Sequence, residues 1–163
     1  MKNIVLIGMP GAGKSTVGVL LAKSLLMDFC DTDLILQKTS GKALCDIIKE
    51  IGISQFIATE NRIIASQDFE NCVVATGGSV VYGEDAMCKL RKNGTVVYLQ
   101  VTAEELEKRI CNIKTRGIAM KDGTSIAELY AERAPLYEKY ADLTVDCTYL
   151  KPEECVDAII ENL

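Results

Sequence analysis

The sequence predicts an α/β fold with a parallel sheet, on three observations. Short apolar, β-branched runs alternate with longer stretches of helical periodicity along the whole chain. The first run ends at Gly8, where Gly8-Met9-Pro10-Gly11-Ala12-Gly13-Lys14-Ser15 carries the spacing G-x-x-x-x-G-K-[ST]. The composition is that of one globular domain: 163 residues, 48% hydrophobic and 25% charged, with no repeat, low-complexity tract or linker.

Lys2 to Ile7 reads as a buried parallel strand because its apolar residues run on without alternating. Lys14 to Leu26 places Val17, Leu20, Leu21 and Leu25 at helical spacing. Asp28 to Asp31 is a short second strand. Leu34 to Ile51 is helical with an interruption near Gly41, and Ile53 to Phe69, free of Pro and Gly, is helical again. Cys72 to Thr76 is a third apolar run, closed by Gly77-Gly78. Glu84 to Lys92 is helical, and Thr95 to Val101 is a strong strand. Thr102 with Glu105 three residues later predicts a capping box at the next helix. Asn112 to Gly123, polar and carrying two glycines, is a loop. Ser125 to Tyr140 is helical through Pro135, and Leu143 to Val145 is a last short strand. Pro152 suits the first turn of a closing helix that ends near Asn162. There Val156, Ile159, Ile160 and Leu163 share one side, which predicts core packing.

Composition excludes several functions. Eighteen basic and 23 acidic residues leave a net charge of -5, without the basic footprint of a nucleic-acid binder. A small anionic ligand held by a few placed cations is still compatible. With no histidine, a His general base, a Ser-His-Asp triad and a His-ligated zinc are excluded. Seven cysteines, odd in number and without a C-x-x-C pair, predict small buried thiols in a reducing compartment. The apolar run Ile4 to Ile7 is too short to span a bilayer and no signal-peptide pattern follows Lys2, so the expectation is a cytoplasmic protein with no membrane partner.

The glycine-rich segment has a physical logic. Its glycines let the backbone curl until successive N–H groups point at one phosphate, and the helix that begins at Lys14 adds its positive dipole end. Lys14 then reaches the β- and γ-phosphates, and the Ser15 hydroxyl can ligate Mg²⁺. Asp31-Thr32-Asp33 follows the second strand, at the sheet edge where ligands bind. Asp31 can hold a Mg²⁺ water and Asp33 can take a proton from an acceptor hydroxyl; a plain helix N-cap is the other reading of the pair. Thr76-Gly77-Gly78-Ser79 allows close backbone approach to a ligand, or is a plain turn.

Taken in order, these motifs make the chain resemble, over nearly its whole length, the shikimate kinase family of nucleoside-monophosphate-kinase-like P-loop kinases. The resemblance implies a three-layer P-loop kinase fold in one domain, residues 1–163. That fold has a five-stranded parallel sheet flanked by helices, a helical substrate-binding region around 34–60 and a lid near 112–123. It implies phosphorylation of the 3-hydroxyl of shikimate by ATP with Mg²⁺. Gly11, Ala12, Gly13, Lys14, Ser15 and Thr16 would cradle the phosphates. Arg109 and Pro152 would sandwich the adenine, and Arg116 of Thr115-Arg116-Gly117 would reach the phosphates from the lid. Ser15 and Asp31 would hold Mg²⁺, and Lys14, Asp33 and Arg116 would be catalytic. Asp33, Phe56, Glu60, Gly77, Gly78 and Ser79 would face the acceptor. Arg133, in Glu132-Arg133-Ala134-Pro135-Leu136-Tyr137-Glu138, would grip its carboxylate. A chain this small is expected to work as a monomer.

Two positions depart from the family pattern. Ile57 follows Phe56 where the family has a second carboxylate-binding Arg, and Ser79 stands where it has a third Gly. Both lie on the acceptor side. Three readings therefore stay open: shikimate as acceptor, another small hydroxylated metabolite as acceptor, or a nucleotide-binding protein without turnover.

Overall fold

The computed structural model describes residues 2–110 and 117–163. Five strands form one parallel sheet in the order β2-β3-β1-β4-β5: β1 Asn3–Ile7, β2 Asp28–Asp31, β3 Cys72–Ala75, β4 Gly94–Gln100 and β5 Leu143–Asp146. Each lies within two residues of its expected position. Every residue of β1 and β3 is buried, as expected for strands covered on both faces.

Seven helices are described: α1 Lys14–Leu25, α2 Thr32–Ser40, α3 Leu44–Ala65, α4 Glu84–Lys92, α5 Ala103–Arg109, α6 Ile126–Tyr140 and α7 Pro152–Asn162. The expected interruption at Gly41 is real, since Gly41 ends α2 in a left-handed conformation. The two helical segments expected on either side of Gly52 form one kinked helix, α3, which ends four residues before Phe69. A 3₁₀ turn, Val80–Tyr82, follows β3 and was not expected from spacing.

Three expectations need correction. At α5 only half of the capping box forms: Thr102 Oγ1 accepts from the Glu105 N–H, while the Glu105 carboxylate turns to Arg109 Nε at 3.0 Å. The full box forms instead at α6, where Ser125 and Glu128 cap each other. On α7, Val156 and Ile159 are buried but Ile160 and Leu163 are 39% and 55% exposed, so the apolar side outruns the core. Of the six cysteines described, all free, Cys72, Cys147 and Cys155 are buried, Cys30 and Cys45 are half-buried and Cys88 is exposed.

The main core fills both faces of the sheet. A smaller apolar cluster of Leu36, Leu44, Ile47, Phe56, Ile63 and Ala119 joins α2 and α3 to the segment after residue 117. This cluster props the helical arm beside the C-terminal edge of the sheet. No described helix is long and apolar enough to cross a membrane.

Candidate active site

The site grows from the C-terminal ends of β1, β2 and β3, where loops of a parallel sheet converge. Gly13 caps α1 with φ 92°, a backbone that residues with a Cβ rarely adopt. Lys14 then begins the helix, and its Nζ turns back to donate to the carbonyls of Gly8 and Met9 at 2.7 and 2.8 Å. Burial pushes the Lys14 ammonium down to about 8, and Arg133 adds to the fall while Asp33, Asp31 and Glu60 oppose it. A cation so lightly stabilised by the protein is poised for an anionic ligand. Ala12 is buried and its N–H donates to the Met9 carbonyl at 3.1 Å, so it shapes the loop rather than facing the cleft.

Asp31 ends β2 and serves both readings of the sequence. Its Oδ1 caps α2 by accepting from the Asp33 N–H at 2.9 Å, and its Oδ2 accepts from the Ser15 hydroxyl at 2.6 Å. Asp33, two residues on, is pushed up to about 6 by burial and by Asp31, with Lys14 opposing. Its carboxyl is thus a stronger base than a free aspartate.

β2 pairs with β3 in the register Asp31↔Ala75, which brings the next residues, 76–79, beside Asp33. The Gly77 N–H donates to Thr32 Oγ1 at 3.2 Å. A Cβ at Gly77 would stand 2.8 Å from both Asp33 Oδ1 and Glu60 Oε1, so only glycine fits between the two carboxyls. Glu60, from α3, is 1% exposed. Ser79 Oγ donates to its Oε2 at 2.6 Å, and its Oε1 has no hydrogen-bond partner among the described residues. Burial pushes Glu60 up to about 7, with the Ser79 bond opposing.

Arg133 enters from α6 and is 1% exposed. Its Nη2 donates to the Ala119 carbonyl at 2.6 Å, and its Nε donates to Tyr82 Oη at 3.4 Å. Tyr137, one turn later, donates to the Gly78 carbonyl at 2.6 Å.

These groups share a cleft of about 420 Å³, a size suited to small-molecule ligands. Gly11, Gly13, Lys14, Ser15 and Thr16 line it together with Asp33, Phe56, Gly77, Gly78, Ser79 and Arg133. Arg109 also reaches it, with its guanidinium tied to the carbonyls of Cys147 and Thr148. Pro152 lies in an adjoining shallow groove with Ser15, Thr16, Val19 and Leu20. Asp31 borders Ser15, and Glu60 lies behind the cleft wall beside Ser79. Arg116 lies outside the described residues. Ile57 is half-buried and packs against the smaller apolar cluster.

Sequence reasoning missed Thr32, Tyr82 and Ala119 in this site. Tyr82 offers no local signal, because its partners Glu132 and Arg133 lie 50 and 51 residues away.

Comparison with known proteins places the chain and its fold in a family. The sequence model of the family described as "Shikimate kinase" matches residues 10–163. The chain is 37% identical to the shikimate kinase of Thermodesulfovibrio yellowstonii, over 99% of this chain and 95% of that one. Its fold superposes on a shikimate kinase from Acinetobacter baumannii, solved in complex with shikimate, with a TM-score of 0.89 at 28% identity, covering 99% and 92% of the two chains. A shikimate kinase from Aquifex aeolicus gives a TM-score of 0.81 at 32% identity, covering 98% and 94%. Sequence and architecture thus agree along the whole length, and the chain belongs to the shikimate kinase family.

Proposed function

We propose that this protein transfers the γ-phosphoryl group of ATP to the 3-hydroxyl of shikimate. The observation that carries the reading is the convergence of Lys14, Asp33 and Arg133 on one cleft. A phosphate-binding cation, a basic carboxyl and a buried guanidinium are what an alcohol-phosphorylating enzyme needs for an acidic acceptor. The family's relatives favour shikimate over another acceptor or a protein without turnover.

Phosphoryl transfer asks mainly for positioning and charge neutralisation. The loop Gly8–Ser15 and the start of α1 present N–H groups to the phosphates. Lys14 exchanges its two carbonyl contacts for phosphate oxygens as its charge is drawn toward them. Asp33 accepts the proton of the attacking hydroxyl. Its pKa of about 6 leaves it ionised at neutral pH while keeping it basic enough for the task. Arg133 pairs with the acceptor carboxylate, a planar contact that a guanidinium makes well. Arg109 and Pro152 flank the base of the nucleotide, and Gly77, Gly78, Ser79, Phe56 and Glu60 shape the acceptor end. In this reading 34–60 is the acceptor-binding region, 112–123 the lid, and Arg116 a phosphate ligand by family resemblance.

Ser15 and Asp31 suit Mg²⁺: two hard oxygens 2.6 Å apart beside the phosphate loop. Mg²⁺ keeps several waters and shares its shell with substrate phosphates, so few protein ligands suffice. When bound it supplies positive charge against the phosphate oxygens. Among the described residues no cluster of three His, Cys, Asp or Glu offers a larger cage. Phosphate-end and acceptor-end groups come from one chain, which fits a working monomer.

The test is transfer from ATP-Mg²⁺ to shikimate by purified protein, with the product identified by mass. Asp33→Asn lowers kcat by roughly 10²- to 10⁴-fold if Asp33 is the base. Intact ATP binding with no phosphorylated shikimate overturns the reading.

A further inference from the structure

Arg133 is held in an unusual way for a buried cation. Among the described residues it has no ion-pair partner within 4 Å. A buried charge requires compensation; the Glu60 carboxyl supplies part of it through space, and a bound anion is the natural source of the rest. Its orientation before that anion arrives is set by neutral groups.

Tyr82 touches it twice. The tyrosine ring centroid lies 5.4 Å from Arg133 Cζ, within cation–π range. Tyr82 Oη also accepts from Arg133 Nε at 3.4 Å. The same hydroxyl gives its own proton to Glu132 Oε1 at 2.6 Å. A hydroxyl committed to a carboxylate in this way keeps its lone pairs for Arg133 and becomes a better acceptor. Tyr82 sits on the turn directly after the Gly77–Ser79 loop, and Glu132 precedes Arg133 on α6. The Glu132–Tyr82 bond therefore ties the acceptor loop to the helix that carries the guanidinium.

The geometry turns one edge of Arg133 to the cleft wall, where the Tyr137 hydroxyl also meets the guanidinium. Nε faces Tyr82 and Nη2 faces the Ala119 carbonyl. Nη1 lies toward Gly78, 3.1 Å from where a Cβ would stand on that residue, in the cleft wall.

We infer that Tyr82 is a positioning residue for Arg133, and that with Glu132 it sets how tightly this chain grips the carboxylate of its acceptor. The inference rests on the acceptor reading above. Without the tyrosine, the guanidinium gains rotational freedom that the acceptor must remove on binding, which weakens affinity rather than the chemical step.

The experiment compares wild type with Tyr82→Phe, Tyr82→Leu and Glu132→Gln. KM and kcat are measured for shikimate, for its uncharged methyl ester and for ATP. Tyr82→Leu, which loses both the ring contact and the hydroxyl, is expected to raise the shikimate KM about tenfold or more, and Tyr82→Phe and Glu132→Gln about threefold, as loss or weakening of one long, weak hydrogen bond implies. The ATP KM and the ester KM stay within about twofold of wild type, because neither depends on carboxylate binding. A structural role alone would penalise all three ligands together. Tyr82→Phe, which keeps the ring, preserves the test if Tyr82→Leu fails to fold. An unchanged shikimate KM in a folded variant, or an equal penalty on the ester, overturns this inference while the acceptor reading stands. No transfer to shikimate by the wild-type chain overturns both.

Discussion

The Ser79 hydroxyl donates a 2.6 Å hydrogen bond to Glu60 Oε2 behind the cleft wall, and it is the only hydrogen bond on that carboxyl among the described residues. Removing it leaves a buried carboxyl with both oxygens unpaired. Ser79→Ala is expected to destabilise the protein by about 1–3 kcal/mol, measured by urea unfolding at neutral pH. An unchanged urea midpoint would show that the bond contributes nothing.

Glu60 gives the fold a pH dependence. Burial raises its pKa from the 4.5 of a solvent-exposed glutamate to about 7 in the folded chain, so the folded state favours the protonated form. The associated stability is fully present below pH 4.5 and is lost as pH rises through 7. The loss is roughly 3 kcal/mol across that window by proton linkage. Glu60→Gln cannot titrate there, so its stability relative to wild type rises with pH between 4.5 and 7. Parallel urea midpoints for the two proteins from pH 4 to 8 would refute this.

Ile57 precedes Glu60 by three residues, so the two share a face of α3. Ile57→Arg brings a guanidinium within reach of the unpartnered Glu60 Oε1 and of the acceptor end. It is expected to raise kcat/KM for shikimate by about tenfold, the worth of one added charged hydrogen bond. It also lowers the Glu60 pKa, visible as a flatter stability profile between pH 4.5 and 7. If turnover does not improve, Ile57 is not what limits acceptor binding.

Gly77→Ala forces a methyl group to within 2.8 Å of both Asp33 Oδ1 and Glu60 Oε1. Both carboxyls must move, and Asp33 loses its place. The expected result is a drop in kcat of about 10²-fold, since small misplacements of reacting groups cost that much. Single-turnover kinetics with bound ATP measures it directly.

Lys14→Met removes the cation whose Nζ faces the phosphate loop. Turnover is expected to fall by about 10²- to 10³-fold, the usual cost of one electrostatic donor at a transition state. The fold survives, because the costly burial of the ammonium goes with it. A coupled ADP assay beside a thermal melt separates the two effects.

Much of the site was legible because its signals are local. The phosphate loop is eight consecutive residues, and Asp31 and Asp33 are two apart, so spacing alone places them at strand ends. Strand and helix periods were readable for the same reason. Boundaries slipped where neighbours compete. Glu105 left the expected capping box because Arg109, one turn on, offers a charged partner. Ile160 and Leu163 carry the right periodicity but extend past the surface that could cover them.

The sequence by itself determined the alternation of strands and helices and the glycine-rich turn that leads into the helix beginning at Lys14, because those depend on the order of adjacent residues. The tertiary structure decided the strand order β2-β3-β1-β4-β5, the meeting of Ser79 with Glu60 and the clasp of Tyr82 on Arg133. These pairings join residues 19 and 51 positions apart. They exist only once the core brings the elements together, and burial then sets the charge that Glu60 and Lys14 carry.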